Sequence, residues 1–230
     1  NKIYDTIVFF GSARIKNKIE AEKVLKELDN SASEKQKNRA KKDLEMSKYY
    51  ENARELAYRF TNWSKNLKSK KSRYIITSGG GGGIMEAANR GAKEAGGISM
   101  GLTISLPFEA TSNEYLPKEL DLKFHYFFMR KFWFIYLAKA LVVWPGGFGT
   151  LDEVMELLTL IQTKKINKRL PIVLFGTEFW NSVVNWDYLV DCGTISEEDL
   201  DLFIITDSVD ESYDYIVKYI NEYKLKGPNF

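Results

Sequence analysis

The sequence predicts an α/β protein built on a doubly wound parallel sheet of about seven strands, with helices on both faces. Two observations carry this expectation. Short β-branched or aromatic runs alternate with longer helical stretches, which is the rhythm of βαβ units rather than of a sandwich or a bundle. Most of the short runs are continuously apolar, as parallel strands covered on both faces must be. No internal repeat and no linker divides the chain, so residues 1–230 are expected to form one domain.

Thr6–Phe10 opens the series of strands. A long connection follows. Ser33 and Gln36 have the spacing of a capping box. Tyr49, Ala53, Leu56, Phe60, Trp63 and Leu67 recur at steps of four and three, which puts them on one helical face that should dock on the sheet. Residues 15–47 are far more polar and are expected to form a helical, surface-lying insertion ahead of that crossover helix. Further strands are predicted at Tyr74–Ser78, Ile98–Ile104, Lys123–Phe127, Ala140–Trp144, Ile172–Phe175 and Leu202–Thr206. Helices fall between them, at roughly 84–95, 130–139, 150–163, 180–192 and 208–223. Such a sheet holds ligands outside the carboxyl ends of its strands.

Composition excludes several classes. With 44% hydrophobic and 14% aromatic residues the chain can bury a sizeable core, which rules out general disorder. A single cysteine, Cys192, excludes an internal disulfide framework and a multi-cysteine zinc site, and fits a reducing compartment. No apolar run approaches the ~20 residues of a membrane span, and the polar stretch Asn1-Lys2-Ile3-Tyr4-Asp5 is not expected to act as a secretory signal. A cytoplasmic protein without membrane contact is expected. The formal charge of +2 hides an asymmetry: residues 15–73 hold 17 Lys+Arg and 9 Asp+Glu, whereas residues 74–230 hold 14 and 21. The basic stretch invites a nucleic-acid reading. Its cations, however, alternate with Glu20, Glu22, Glu27, Asp43 and Glu45, so a solvated helical surface is expected and no nucleic-acid partner.

Three stretches carry chemistry. In the first, five glycines, Gly79–Gly83, join a strand to a helix. Glycine admits left-handed backbone angles and close approach of a ligand to the main chain, and a helix N-terminus offers unpaired N–H groups to a phosphate. No Lys-Ser/Thr follows, which excludes a nucleoside-triphosphate P-loop, and Met85 or Glu86 stands where a dinucleotide fingerprint needs its third glycine. In the second, Pro145-Gly146-Gly147-Phe148-Gly149-Thr150-Leu151-Asp152-Glu153 repeats the strand–glycine–helix arrangement, with Thr150 expected as N-cap and anion donor. Glu153 is expected in the first turn of this helix and Glu156 three residues on, on the same face. Asp152 reads as a helix-dipole partner. In the third, Phe124–Trp133, an aromatic run is broken by Arg130 and Lys131 at a strand-to-helix junction. A partly buried Arg130 would need an anionic partner or ligand.

Together these stretches carry a resemblance. Gly79–Ala92, ending Gly-Ile-Met-Glu-Ala-Ala-Asn-Arg-Gly-Ala, then Met129-Arg130-Lys131, then Pro-Gly-Gly-x-Gly-Thr-x-x-Glu over Pro145–Glu153, resembles the LOG family. Its members are cytokinin riboside 5′-monophosphate phosphoribohydrolases and related bacterial nucleotide nucleosidases, long labelled "possible lysine decarboxylase". The similarity runs from about Ile7 to Val217, interrupted by the 15–47 segment. Leu106-Pro107-Phe108-Glu109 with Asn113, and Leu158–Lys165, look like the larger bacterial branch. Against the family's usual motif either Gly80 is an extra residue or Gly82 stands in place of proline, and glycine at the proline position should loosen the turn without removing its N–H donors.

The resemblance implies a Rossmann-like homodimer, with active sites close to the subunit interface, that hydrolyses the N-glycosidic bond of a nucleoside 5′-monophosphate. The substrate would be AMP or an N6-substituted AMP, and the products free base and ribose 5-phosphate. By position the family's catalytic pair is Arg130 and Glu153. The phosphate-holding turns map to Gly80, Gly81, Gly82 and Gly83, and to Pro145, Gly146, Gly147, Phe148, Gly149, Thr150 and Leu151. Lys131 and Glu156 join the expected substrate contacts, and Glu109 and Asn113 are expected at base or ribose. No cofactor and no metal are expected. The residue types suit this chemistry. Cleavage of a C1′–N bond passes through an oxocarbenium-like state, which a carboxylate such as Glu153 can stabilise while activating water. A bidentate arginine positions that carboxylate or the phosphate better than lysine. His125, the only histidine, is expected to be a half-buried strand residue. The rival reading is a non-catalytic nucleotide carrier or sensor on the same fold, which would require neither Arg130 nor Glu153. Lysine decarboxylation would require a lysine placed for pyridoxal phosphate, and nothing in the lysine distribution marks one.

Overall fold

A computed structural model of the chain describes residues 3–29, 31–67, 74–105, 112–168 and 170–223. Seven strands form one sheet: β1 (Thr6–Phe10), β2 (Ile75–Ser78), β3 (Ser99–Ile104), β4 (Asp121–Phe124), β5 (Ala138–Val143), β6 (Ile172–Phe175) and β7 (Ile204–Thr206). Their order is β4-β3-β2-β1-β5-β6-β7, and every pairing is parallel. The chain thus winds outward from β1 in one direction as far as β4, then crosses to β5 and winds the other way. This is the expected doubly wound α/β, Rossmann-like architecture.

Alternate residues of the strands feed two cores. On one face Ile7, Phe9, Ile76, Val142 and Phe175 pack against helices α2 (Glu34–Asn66), α3 (Ile84–Glu94) and α8 (Val209–Tyr223). On the other, Val8, Phe10, Leu102, Leu141 and Leu174 pack against α4 (Phe127–Leu137), α5 (Phe148–Gln162), α6 (Thr177–Val183) and α7 (Trp186–Asp191). Trp144, at the end of β5, is fully buried and stacks on Phe175 at 4.1 Å.

The expected apolar stripe docks as its period demands: Tyr49, Ala53, Leu56 and Phe60 are buried, with Trp63 and Leu67 packed at the edge of the same core. The expected boundary at residue 47 does not exist. Ser33 and Gln36 form a reciprocal capping box, and from there α2 runs unbroken for 33 residues. Only α1 (Lys18–Glu27) and the turn after it stand apart, with Ala21 of α1 fully buried.

Several boundaries differ from expectation by one to three residues, and some of these shifts have a clear local reason. The aromatic run was assigned to a strand ending at Phe127 and a helix from residue 130. Tyr126 instead takes extended angles as N-cap, and α4 begins at Phe127. Because α4 leads directly into β5 at Ala138, that strand starts two residues early. The helix expected at 180–192 divides into α6 and α7, the second started by Asn185, whose side chain accepts the Tyr188 N–H at 3.1 Å.

Candidate active site

Strand order reverses between β1 and β5, and at such a point the outgoing loops diverge and leave a crevice. A cleft of about 560 Å³ lies there. Gly11–Arg14 after β1, Gly79 and Gly81 after β2, and Gly147–Leu151 after β5 contribute to its walls. Phe127, Arg130 and Phe134 of α4 and Glu153 of α5 complete this part of the lining.

The first glycine turn is braced by contacts within the protein. Gly83, the N-cap of α3, has φ +62°, and a Cβ there would collide with the Ser12 carbonyl oxygen. That same carbonyl accepts the Ile84 N–H at 3.0 Å, so the first donor of α3 is already used. Asn113 binds the turn through its side-chain amide. Its Nδ2 lies 3.0 Å from the Gly80 carbonyl and 2.9 Å from that of Gly81, donating to both and to Asn89 Oδ1. Of the predicted glycines in this turn only Gly81 lines the cleft, joined by the unpredicted Gly79. Gly80, Gly82 and Gly83 set the backbone path instead.

The second turn is the open one. Helix α5 starts at Phe148 with Gly147 as N-cap, and no side chain caps it. The first of its amides with an intrahelical partner is that of Leu151, which donates to the Gly147 carbonyl at 3.0 Å, leaving the N–H groups of Phe148, Gly149 and Thr150 at the cleft wall for an anion. Thr150 is therefore not the N-cap. It is the third helical residue, buried, and so close behind Gly146 that a Cβ on Gly146 would overlap its hydroxyl. Pro145 helps fix the β1 loop, its carbonyl accepting the Ser12 N–H at 3.1 Å. Phe148 is 92% exposed at the rim.

With the helix beginning this early, no carboxylate occupies its first turn. Glu153 lies in the second turn, where its side chain meets Arg130, Nη2 to Oε1 at 3.4 Å, with exposures of only 15% for Arg130 and 7% for Glu153. Burial pushes the Glu153 carboxyl up to about 7, against the pull of the Arg130 and Lys131 charges. Arg130 itself sits within the first turn of α4, with the rings of Phe127 and Phe134 at 5.2 and 5.8 Å from its guanidinium. Its Nε is buried with no hydrogen-bond partner, leaving a donor in the cleft wall for a ligand to satisfy.

Lys131 and Glu156 do not reach the cleft. Lys131 Nζ lies 2.7 Å from both Asp152 and Glu156, tying α4 to α5 beside the Arg130–Glu153 pair. The dipole role expected of Asp152 is thus replaced by this ion pair. His125 is exposed, just beyond β4, and not half-buried. Glu109 lies outside the described residues. Sequence reasoning missed Gly11, Ser12, Ala13 and Arg14, although the rule that ligands gather at carboxyl ends of strands points to the loop after β1. It also missed the apolar lining from Phe10, Met85, Ile104 and Phe134.

A family model described as "Possible lysine decarboxylase" matches residues 85–216, the stretch that holds α3, α4 and α5. A rice protein (Oryza sativa subsp. japonica), described as "Probable cytokinin riboside 5'-monophosphate phosphoribohydrolase LOG4", is 26% identical over 141 residues. That match spans 60% of this chain and 59% of the rice protein. Among solved structures, the molybdenum cofactor binding protein of Rippkaea orientalis is similar with a TM-score of 0.53 at 14% identity, over 96% of this chain and 98% of that one. The Moco carrier protein of Chlamydomonas reinhardtii is similar with a TM-score of 0.53 at 17% identity, over 95% and 99%. At those identities the two structures attest to the fold alone. The family model, which spans more than half of the sequence and both α4 and α5, shows that this chain belongs to the LOG family, the family described as "Possible lysine decarboxylase".

Proposed function

We propose that the cleft hydrolyses the N-glycosidic bond of a nucleoside 5′-monophosphate, AMP or an N6-substituted AMP, to the free base and ribose 5-phosphate. The observation that carries this reading is the contact of Arg130 with a buried Glu153 whose carboxyl titrates near 7, inside a cleft that also holds an uncapped helix N-terminus. Its volume of about 560 Å³ lies within the usual range for small-ligand sites.

In this scheme the phosphate sits on the free N–H groups at the start of α5, and Arg14 adds charge from the β1 loop. The base lies among the apolar side chains of Met85, Ile104 and Phe127. As the C1′–N bond breaks, its electron pair leaves with the base. The positive charge developing on the ribose is stabilised by the Glu153 carboxylate. Water adds to C1′ and gives one proton to Glu153, which passes it on by way of solvent to the departing nitrogen, so that one water is consumed and the carboxylate is restored. Arg130 holds Glu153 and, through its free Nε, reaches a substrate oxygen. Binding of the phosphate supplies orientation energy remote from the reacting bond, so nucleosides lacking it are poor substrates.

A non-catalytic carrier would need the anion cradle but not an arginine set against a buried carboxylate. Decarboxylation of lysine has less support. Among the described residues no lysine lines the cleft, so no amine stands there to anchor pyridoxal phosphate. We further infer a homodimer, supported by exposed aromatics on and before α4, Tyr126, Phe128, Phe132 and Trp133, beside the cleft residue Phe127. A panel of nucleoside monophosphates, assayed chromatographically for released base, tests the activity. The expected result is release by the wild type and none by Glu153→Gln. Absence of release from every nucleotide, with nucleotide binding intact, leaves the carrier reading in its place.

A further inference from the structure

Next to the cleft, across the β1 loop, lies a second hollow of about 390 Å³. It shares Ser12 and Arg14 with the cleft and borders Pro145 and Gly146, the start of the turn that leads into α5. Its remaining walls include Lys16 and, from the first half of α2, Arg39, Lys42 and Asp43. Four cations and a single carboxylate therefore line it. Asp43, only 13% exposed, sits under two of those cations, 3.0 Å from Lys16 and 2.8 Å from Arg39. Lys42 pairs with Glu45 at 2.9 Å on the outer surface, and Glu178 also faces it from α6. Among the described residues, Arg14 has no carboxylate partner. Arg39 and Lys42 keep most of their side chains in solvent, at 68% and 59% exposure, so their ion pairs with Asp43 and Glu45 are weak ones that an incoming anion can displace at small cost.

We infer that this hollow is an anion subsite for a second phosphate group, adjoining the one proposed for the 5′-monophosphate. The inference rests on the reading of the cleft as a nucleotide site and extends it. Arg14 faces both hollows and stands between the two phosphates. The class of ligand that fits is a nucleoside diphosphate or a dinucleotide whose distal phosphate crosses the β1 loop, or a free pyrophosphate beside a bound monophosphate. Phosphate oxygens suit the site because arginine and lysine donate charge-assisted hydrogen bonds to them from several directions. The polar segment ahead of the crossover helix thereby acquires a role: it brings Arg39 and Lys42 to the edge of the active site.

The test compares binding of AMP, ADP, inorganic phosphate and pyrophosphate to the wild type and to the double variant Arg39→Ala/Lys42→Ala, by calorimetry at low salt. Both positions are solvent-exposed on a capped helix, so the fold is retained. The expected result is that ADP binds about tenfold more tightly than AMP to the wild type, and pyrophosphate more tightly than phosphate. The double variant loses that difference while its affinity for AMP and its release of base from AMP stay unchanged. Pyrophosphate that binds in the presence of saturating AMP assigns the hollow to a free anion, and pyrophosphate displaced by ADP alone assigns it to a distal phosphate. Equal affinity for ADP and AMP in the wild type, or a preference that survives in the double variant, overturns the inference. Failure to release base from AMP would overturn the hydrolytic reading but leave this comparison of affinities intact.

Discussion

Glu153→Gln separates a catalytic residue from a structural one by its pH dependence. In the folded protein the Glu153 carboxyl titrates at about 7 instead of its ordinary 4.5, because burial outweighs the neighbouring cations. For an acid whose folded value is raised, the folded state holds the proton that the unfolded state has already lost. Stability therefore falls as pH rises from 4.5 to about 7, and the full cost is present above that. At 1.36 kcal/mol per unit the shift corresponds to about 3 kcal/mol. Glutamine removes the ionisable group while keeping its shape. Near pH 4.5 the wild-type side chain is neutral, so the two proteins should unfold at similar urea concentrations. At pH 8 the variant should be more stable by about 3 kcal/mol, or roughly 6–12 °C in midpoint temperature for a chain of this size. It should also release no base at either pH, whereas wild-type activity should climb as Glu153 ionises through about 7. Gain of stability at the expense of turnover is the usual mark of an active-site charge held against its preference. An advantage of the same size at both pH values would refute the reasoning, since it would mean that the carboxylate is not destabilised in the fold.

Three further outcomes follow from the geometry. Gly83→Ala should lower stability by several kcal/mol in thermal unfolding, because the new methyl meets the Ser12 carbonyl and the backbone is held at φ +62°. Asn113→Ala should leave the Gly80 and Gly81 carbonyls without their side-chain donor, costing about 1–3 kcal/mol and raising KM more than it lowers kcat. Lys168 is buried, donates to the carbonyls of Ile135 and Tyr136 at the end of α4, and is lowered by burial from 10.5 to about 7. Its folded state loses the proton first, so it makes stability rise with pH between about 7 and 10.5. Lys168→Met should flatten that rise in urea titrations made across this range.

Strand positions were legible where burial on both faces leaves only one pattern, as in Thr6–Phe10 and Ile172–Phe175, which fold over the residues expected. The stretch 121–130 was not. Its aromatic residues suit a strand or a helix equally, and periodicity in so short a run cannot choose. Thr150 was misplaced for a related reason: N-cap preference favours threonine, but Gly146 lets the chain pass close to the Thr150 side chain, and the cap falls three residues earlier, at Gly147, than that rule predicts. The Arg130–Glu153 pair was accessible through motif resemblance, whereas Gly11–Arg14 carries no motif and joins the cleft only because β1 lies at the reversal of strand order.

The division of the chain into a basic front and an acidic back has a mechanical counterpart in α2. Its second half is anchored: Tyr49, Ala53, Leu56 and Phe60 are buried against the sheet and cannot shift without opening that core. Because the helix is continuous back to its cap at Ser33, that anchorage fixes the direction in which the first half projects, with Arg39 and Lys42 on it. A separately hinged insertion could offer the same charges but would lose entropy in ordering them over an anion. A rigid helix has already lost it during folding. The acidic body therefore needs no net positive charge to hold phosphate, since the potential that matters is local, set by the uncapped start of α5, by Arg14 and by the cations that α2 carries to the rim.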